Sequence, residues 1–179
     1  MGGRIDCYLD IVSFYSYVGY ADLRQNMDKL AAHGVKVEFH PVFLGGINNL
    51  SESTFLATFR FFFHKLWLPP HVNLAEDANL IAALSEATDE LDGGSGKKLF
   101  TDEDVKRIME GREGMKEKVK MLTAEAVEKG AFGAPWLWVT NKDGKSEAFF
   151  GSDRFNHVYK FLGIPFQDVE ILLPPSSKL

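Results

Sequence analysis

One cysteine, Cys7, is all that this chain of 179 residues contains. A single thiol excludes an internal disulfide framework and a cysteine-ligated metal cluster, and it fits a reducing compartment. The chain also lacks any long basic run, and its net charge is -5. Nucleic acid is thereby excluded as the main partner, because holding phosphates takes clustered Lys and Arg; a small molecule is expected instead. No apolar stretch opens the sequence. The most apolar segment, 55–68, is interrupted by Arg60, His64 and Lys65 and is too short to span a bilayer, so a soluble chain with no membrane span is expected. The histidines, His33, His40, His64, His71 and His157, show no ligand spacing such as a pair at i and i+4. No metal site is expected from them, and His40 is read as a structural residue of a strand.

What is present is enough apolar content, 45%, for the core of one domain or of one domain carrying an insertion. The pattern switches between period two and period 3.6 in a definite order. Arg4 to Ile11 reads as a strand with Ile5, Cys7 and Leu9 on one face. A helix from about Tyr15 to His33 follows and is ended by Gly34, and Val35 to Val42 is a second strand. From Asn48 to about Gly130 the pattern is helical, broken at Pro69-Pro70 and at the glycine-rich loop Asp92-Gly93-Gly94-Ser95-Gly96. Strand character returns at Trp136 to Thr140, the turn Asn141-Lys142-Asp143-Gly144 follows, and Glu147 to Phe150 pairs back as a hairpin. Ser152 is expected to cap a last helix ending near Leu162. The order β-α-β, helical block, β-β-α predicts an α/β, thioredoxin-like fold formed by residues 1–50 and 125–179, with an all-helical insertion over 51–124.

In such a fold the reactive junction is where the first strand meets its helix, here Asp10-Ile11-Val12-Ser13-Phe14-Tyr15-Ser16. A dithiol enzyme carries Cys-x-x-Cys there; Ser13-Phe14-Tyr15-Ser16 stands in its place, and a serine oxygen cannot cycle between thiolate and disulfide. A hydroxyl at a helix start does sit where backbone N–H groups and the macrodipole favour an anion, such as another molecule's thiolate. It is equally the residue of an ordinary N-cap. A second segment, Gly130-Ala131-Phe132-Gly133-Ala134-Pro135-Trp136, puts Pro135 at a strand start. In thioredoxin-like folds this proline is typically cis, which turns the preceding residue's peptide groups toward the site. In the third segment, Phe149 to Arg154, the N–H groups of Ser152 and Asp153 suit a carboxylate and the Asp153 carboxylate suits an ammonium. That set fits an amino-acid zwitterion, and it also fits a plain N-cap with an acidic first turn.

Two features stand apart from this junction. The aromatic run Phe55, Phe59, Phe61, Phe62, Phe63 and Trp67 puts Phe55, Phe59, Phe62, Phe63 and Leu66 on one helical face, most simply core. Phe61 and Trp67 fall partly outside it and suit a dimer contact or the wall of an apolar pocket. At the other end, Ser177-Lys178-Leu179 follows the Pro- and Ser-rich Leu173-Pro174-Pro175-Ser176. A terminal Ser-Lys-Leu is the address read by the peroxisomal import receptor, so a peroxisomal location is expected.

Taken in order, Asp10-Ile11-Val12-Ser13-x-Tyr15-Ser16, Tyr20, Gly130 to Pro135 and Phe150-Gly151-Ser152-Asp153-Arg154 resemble the kappa-class glutathione transferases and the related 2-hydroxychromene-2-carboxylate isomerases. The resemblance covers roughly Arg4 to Gly46 and Lys118 to Pro175. It implies a DsbA-like thioredoxin domain with a helical insertion, a homodimer, and glutathione as the bound thiol. Ser13 would hydrogen-bond the glutathione sulfur, Ala134 beside cis-Pro135 would pair with its cysteinyl part, and Ser152 with Asp153 would hold the γ-glutamyl end. The second substrate would be a small hydrophobic electrophile. A glutathione-dependent isomerase, and a binding protein that has lost part of the glutathione clamp, are the alternatives.

Three departures bear on that reading. Phe14 follows Ser13 where the family has Pro. The family's Gly-Asn-x-Pro-Pro loop and its downstream Lys, which grips the glycine carboxylate, are replaced by Leu50-Ser51-Glu52-Ser53-Thr54, leaving Asn48, Asn49 and Lys65 as candidate substitutes. The helical insertion is also short around Asp92 to Lys98.

Overall fold

A computed structural model describes residues 2–11, 13–42, 52–167 and 170–172. The chain divides into two compact units, Met1–Val42 with Leu122–Leu179, and Phe43–Met121.

The first unit is built on strand β1 (Gly3–Leu9), helix α1 (Phe14–Ala32) and strand β2 (Val35–Pro41). Ile5, Cys7 and Leu9 have no exposed surface, as the period-two pattern requires. The opposite face of β1 is covered as well, since Asp6 and Tyr8 are also buried. Helix α1 starts where Ser13, in extended conformation, accepts from the Ser16 N–H. It buries Ser16, Gly19, Tyr20, Leu23, Asn26 and Leu30, a stripe at helical spacing. It ends at Gly34, whose φ of 73° is the left-handed value that glycine adopts without a Cβ penalty.

Strands β3 (Trp136–Asn141) and β4 (Ser146–Phe150) complete the sheet in the order β2-β1-β3-β4. β1 and β2 are parallel, with Asp6 opposite Glu38. β3 is antiparallel to both β1 and β4, with Tyr8 opposite Trp136 and Trp136 opposite Phe150. Helix α5 (Phe155–Leu162) joins α1 through a hydrogen bond of 3.1 Å from the Tyr159 hydroxyl to Asp22. The other face packs Tyr8 and Trp136 against Ala126, in the last turns of helix α4 (Asp102–Glu128). Two-residue strands β5 (Phe166–Gln167) and β6 (Glu170–Ile171) pair beyond α5. The α/β thioredoxin-like order read from the sequence is therefore the observed one.

The last helix starts later than expected. Gly151 has a φ of 97°, and this left-handed bend sends Ser152 and Asp153 into a turn. Arg154 is the N-cap residue of α5 and makes no side-chain cap bond, so Ser152 does not cap it.

The second unit contains α2 (Glu52–Trp67), α3 (Asp77–Glu86), a 3-10 turn over Glu90–Asp92 and α4 as far as Met121. The helical pattern breaks at the two expected places. The first is the cis Pro69-Pro70 pair; the second is the loop where Asp89 accepts from the Gly96 and Lys97 N–H groups, at 2.8 Å each. A reciprocal capping box starts α4: the Thr101 N–H donates to the Asp104 carboxylate at 3.0 Å, and the Asp104 N–H donates to the Thr101 hydroxyl at 3.2 Å. Phe59, Phe62 and Phe63 are buried as expected, and so is Phe61, which stacks edge-on with Phe62. Phe61 is thus core, and Trp67 alone of the two outlying rings is exposed. The side chain of Phe55, and Asn48, Asn49 and Ser177 to Leu179, lie outside the described residues. Among the described residues, no helix is long and apolar enough to cross a membrane.

Candidate active site

Three segments converge at the carboxyl end of β1. In the first, the Ser13 N–H donates to the Asp10 carbonyl at 3.1 Å. The Ser16 N–H donates to the Ser13 hydroxyl oxygen at 3.2 Å, and the Asp10 N–H donates to the Ser16 hydroxyl oxygen at 3.2 Å. Ser16 is fully buried. The four-residue spacing that a dithiol would occupy is here a set of interlocked turns fixing the Ser13 oxygen at the positive end of α1.

The second segment meets the first where the Ser13 hydroxyl donates to the Ala134 carbonyl at 3.1 Å. The Ala134-Pro135 peptide is cis. Gly19, one turn into α1, permits the approach, since a Cβ there would stand 3.1 Å from Pro135 Cγ and 3.7 Å from Ser152 Cβ. The same glycine therefore marks where Pro135 and Ser152 come together. The third segment is tied to the second by the Gly151 N–H, which donates to the Pro135 carbonyl at 3.1 Å. So Ser13, Ala134, Pro135 and Ser152 are brought together. Asp153 follows in the turn and folds its carboxylate back over Gly151; its side chain is 74% exposed, and Arg154 Nε is 3.9 Å away.

Aromatic rings flank this junction. Phe14 and Tyr15 are more than half exposed at the start of α1. On the cis-proline loop, Phe132 is 76% exposed and rests on Phe150 with ring centroids 4.5 Å apart. A Cβ at Gly133 would lie 2.6 Å from the Phe150 ring, so only glycine lets that ring sit against the loop. The candidate substitute Lys65 belongs to the helical unit, where it pairs with Glu86 at 2.7 Å and lies over the Phe61 ring.

A second polar cluster, not anticipated from the sequence, crosses β1 and β2. Arg4 forks onto the Asp6 carboxylate through Nε and Nη2, and Nη2 also reaches Glu38 at 2.7 Å. His40 Nε2 lies 2.7 Å from Asp6 Oδ1, and its ring stacks on Tyr8 at 4.8 Å. The Tyr8 hydroxyl donates to Glu125 at 2.8 Å and accepts from Lys129 at 2.6 Å. Burial works to raise the Asp6 carboxyl, but hydrogen bonds from His40 and Arg4 outweigh it and hold the group at about 2. Burial likewise pushes the Tyr8 hydroxyl up, against the pull of Lys129. Asp6, Glu38 and His40 do bring three ligand atoms within 4.8 Å of one another, yet Arg4 and Lys36 already neutralise both carboxylates. The signal that could have found this cluster is period-two placement: Arg4, Asp6 and Tyr8 share one face of β1, as do Glu38 and His40 of β2. The Cys7 thiol, by contrast, is fully buried and its ionisation is pushed up by that burial, which keeps it in the un-ionised, poorly nucleophilic form.

Comparison with known proteins bears on the fold as a whole. No protein-family profile matches the chain. It is 26% identical to glutathione S-transferase kappa 1 of Caenorhabditis elegans over 225 residues, covering 98% of this chain and 98% of the relative. It is 48% identical to glutathione S-transferase kappa 2 of the same organism over 46 residues, 25% of this chain and 20% of that one. Among solved structures, a probable DsbA oxidoreductase of Streptomyces coelicolor superposes with a TM-score of 0.59 at 13% identity, covering 97% of this chain and 100% of that one. The thiol-disulfide oxidoreductase MdbA of Actinomyces oris gives a TM-score of 0.52 at 12% identity over 82% of this chain and 73% of its own. Along its length, then, the chain resembles the kappa-class glutathione transferases, on a DsbA-like thioredoxin fold.

Proposed function

We propose that this protein is a glutathione-dependent enzyme of the kappa-class transferase type, in which Ser13 stabilises the glutathione thiolate for attack on a small hydrophobic electrophile. The observation that carries the reading is the Ser13 hydroxyl at the start of α1, within hydrogen-bonding distance of the carbonyl before cis-Pro135. A neutral hydroxyl there gives a charge-assisted hydrogen bond, and such bonds are worth about 1.5 to 3 kcal/mol. At about 1.36 kcal/mol per pKa unit, that lowers a thiol of pKa near 8.5 by about one to two units. The helix terminus adds about 0.3 to 1 kcal/mol, which brings the thiol to roughly neutrality without Ser13 ionising. The donor set fits the rest of the tripeptide: Ala134 offers backbone groups to the cysteinyl part, and Ser152 with Asp153 offer a hydroxyl, N–H groups and a carboxylate to the γ-glutamyl zwitterion. The exposed rings of Phe14, Tyr15 and Phe132 provide apolar surface for an electrophile.

Titrating glutathione into the protein by calorimetry, then adding a chloronitrobenzene and weighing the product, tests this. Binding followed by a product that carries one glutathione sulfur in place of the expelled chloride is expected; no heat and no adduct would sink it. A product of unchanged mass from a conjugated carbonyl substrate would instead mark an isomerase. A homodimer belongs to the same reading and is checked by light scattering. A peroxisomal location does as well, supported by Ser177-Lys178-Leu179; an amino-terminal fluorescent fusion that reaches peroxisomes equally well without the tripeptide would refute it.

A further inference from the structure

A hydroxyl has one proton to give, and Ser13 has already given it. Its O–H donates to the Ala134 carbonyl at 3.1 Å, while its oxygen accepts from the Ser16 N–H at 3.2 Å. The oxygen cannot move far. Ser16 is fully buried and is itself held by the Asp10 N–H, so the turn is locked and only the direction of the Ser13 O–H bond is free. Aiming that proton at a thiolate strips the Ala134 carbonyl of its donor. A part-buried carbonyl left unpaired is costly, by an amount comparable to what the thiolate gains.

The exchange becomes favourable only when the incoming thiol brings a replacement donor. In a cysteine whose amine is acylated, the sulfur and the amide N–H are separated by three bonds, and in a gauche rotamer they lie side by side. That matches a serine oxygen and a carbonyl oxygen that are themselves in hydrogen-bond contact. The sulfur takes the Ser13 proton's direction as the amide N–H takes over the Ala134 oxygen. The thiol's own proton leaves to solvent, and no covalent bond changes.

We infer that the Ser13–Ala134 hydrogen bond is a substrate-discriminating latch, which activates thiols bearing an amide N–H on the carbon next to the CH2–S group and leaves other thiols unactivated. This rests on the proposed role of Ser13 as thiolate donor and adds to it a rule for which thiols qualify. The rule explains how a helix-capping serine can stand ready without being spent on the wrong anion: the resting bond is neutral, internal and broken only by a ligand that repairs it.

The test uses the full chain with glutathione and with its depsipeptide analogue, in which an ester oxygen replaces the cysteinyl N–H. Thiolate absorbance of each bound ligand is followed against pH, in the parent protein and in Ser13→Ala. In the parent, bound glutathione should titrate about one to two pH units below its value in Ser13→Ala, where only the smaller effect of the helix terminus remains. The ester analogue should bind within a few-fold of glutathione, because the N–H it lacks only replaces a bond that Ser13 already made. Its thiol should titrate close to its own solution value in both proteins. An analogue activated as strongly as glutathione in the parent and not in Ser13→Ala would overturn the latch while leaving Ser13 the thiolate donor. An analogue that no longer binds would overturn it too, since the N–H would then serve affinity alone. Glutathione that binds without any shift would overturn the donor role itself, and the latch with it.

Discussion

Two polar constellations meet β1 from different directions and are built on opposite principles. At its carboxyl end, Ser13, Ser16, Ala134 and Gly151 are joined by neutral hydrogen bonds of 3.1 to 3.2 Å, most of them to backbone groups. Along the face of β1 that carries Asp6 and Tyr8, Arg4, Asp6, Glu38 and His40 make a polar cluster with contacts of 2.6 to 3.0 Å. In this cluster both carboxylates are already paired with Arg4 or Lys36, so there is little to offer a ligand. The neutral site can exchange partners at little cost, because neither partner is an ion that must be kept compensated. Charge here ties two strands together, while the neutral site keeps groups that can let go.

The comparison breaks first at Asp6. Asp6→Ala leaves the Arg4 guanidinium and the His40 ring without their shared acceptor. Removing one partner of a fully buried pair costs about 3 to 5 kcal/mol; with Arg4 nearly half exposed, about 2 to 3 kcal/mol is expected. With an m-value of about 2 kcal/mol/M in urea, the midpoint should fall by about 1 M with m unchanged, while folded protein keeps its glutathione affinity. A loss of affinity at equal foldedness would mean that the two constellations are coupled. The pH signature has a definite sign. Asp6 is held at about 2, below its ordinary 3.8, so its contribution is complete above pH 4 and is lost as pH falls toward 2. That amounts to about 2 kcal/mol by linkage, and Asp6→Ala should lack this step in acid unfolding.

Ser13→Ala is the corresponding break on the neutral side, and its consequence should be catalytic rather than structural. Loss of an N-cap costs about 1 kcal/mol of stability. Loss of a charge-assisted bond to the thiolate costs about 1.5 to 3 kcal/mol, which is a ten- to hundredfold fall in turnover at neutral pH with little change in glutathione affinity. Equal losses in turnover and affinity would make Ser13 a binding group only.

How much of this was readable beforehand follows from how local each signal is. The fold order was legible because glycine and proline punctuate it: Gly34 ends α1, Pro69-Pro70 divides the helices, Pro135 opens β3. The meeting of Ser13 with Ala134 and cis-Pro135 was legible because this topology brings the residue after β1 up to the loop before β3. The charged cluster was legible only within each strand, where period two puts Arg4 with Asp6 and Glu38 with His40; its assembly depends on the parallel register that sets Asp6 opposite Glu38, and no local pattern encodes a register between strands separated by a helix. The two-residue strands β5 and β6 are too short to show a period. The start of α5 was misread because Ser-Asp is a good capping pair in sequence, whereas the positive φ of Gly151 turns those residues aside before the helix begins.

The turn over Ser152 and Asp153 sets the size of the smallest effect. Were Ser152 and Asp153 the first turn of a helix, their N–H groups would share its dipole and Asp153 would sit in a partly enclosed anion site. Instead they lie in a turn before α5, with the Asp153 side chain 74% exposed and only a loose 3.9 Å approach to Arg154. An exposed carboxylate gains about 0.2 to 1 kcal/mol from an ammonium partner. Asp153→Asn should therefore weaken glutathione binding by no more than about fivefold, with no change in the pKa of the bound thiol. The effect should shrink further at high salt, since a solvated pair is screened within about 10 Å at 0.1 M, whereas that of Ser13→Ala should not depend on salt. Calorimetry at low and high ionic strength separates the cases. A loss of a hundredfold that resists salt would show that ligand binding encloses Asp153 and dries the γ-glutamyl end of the site.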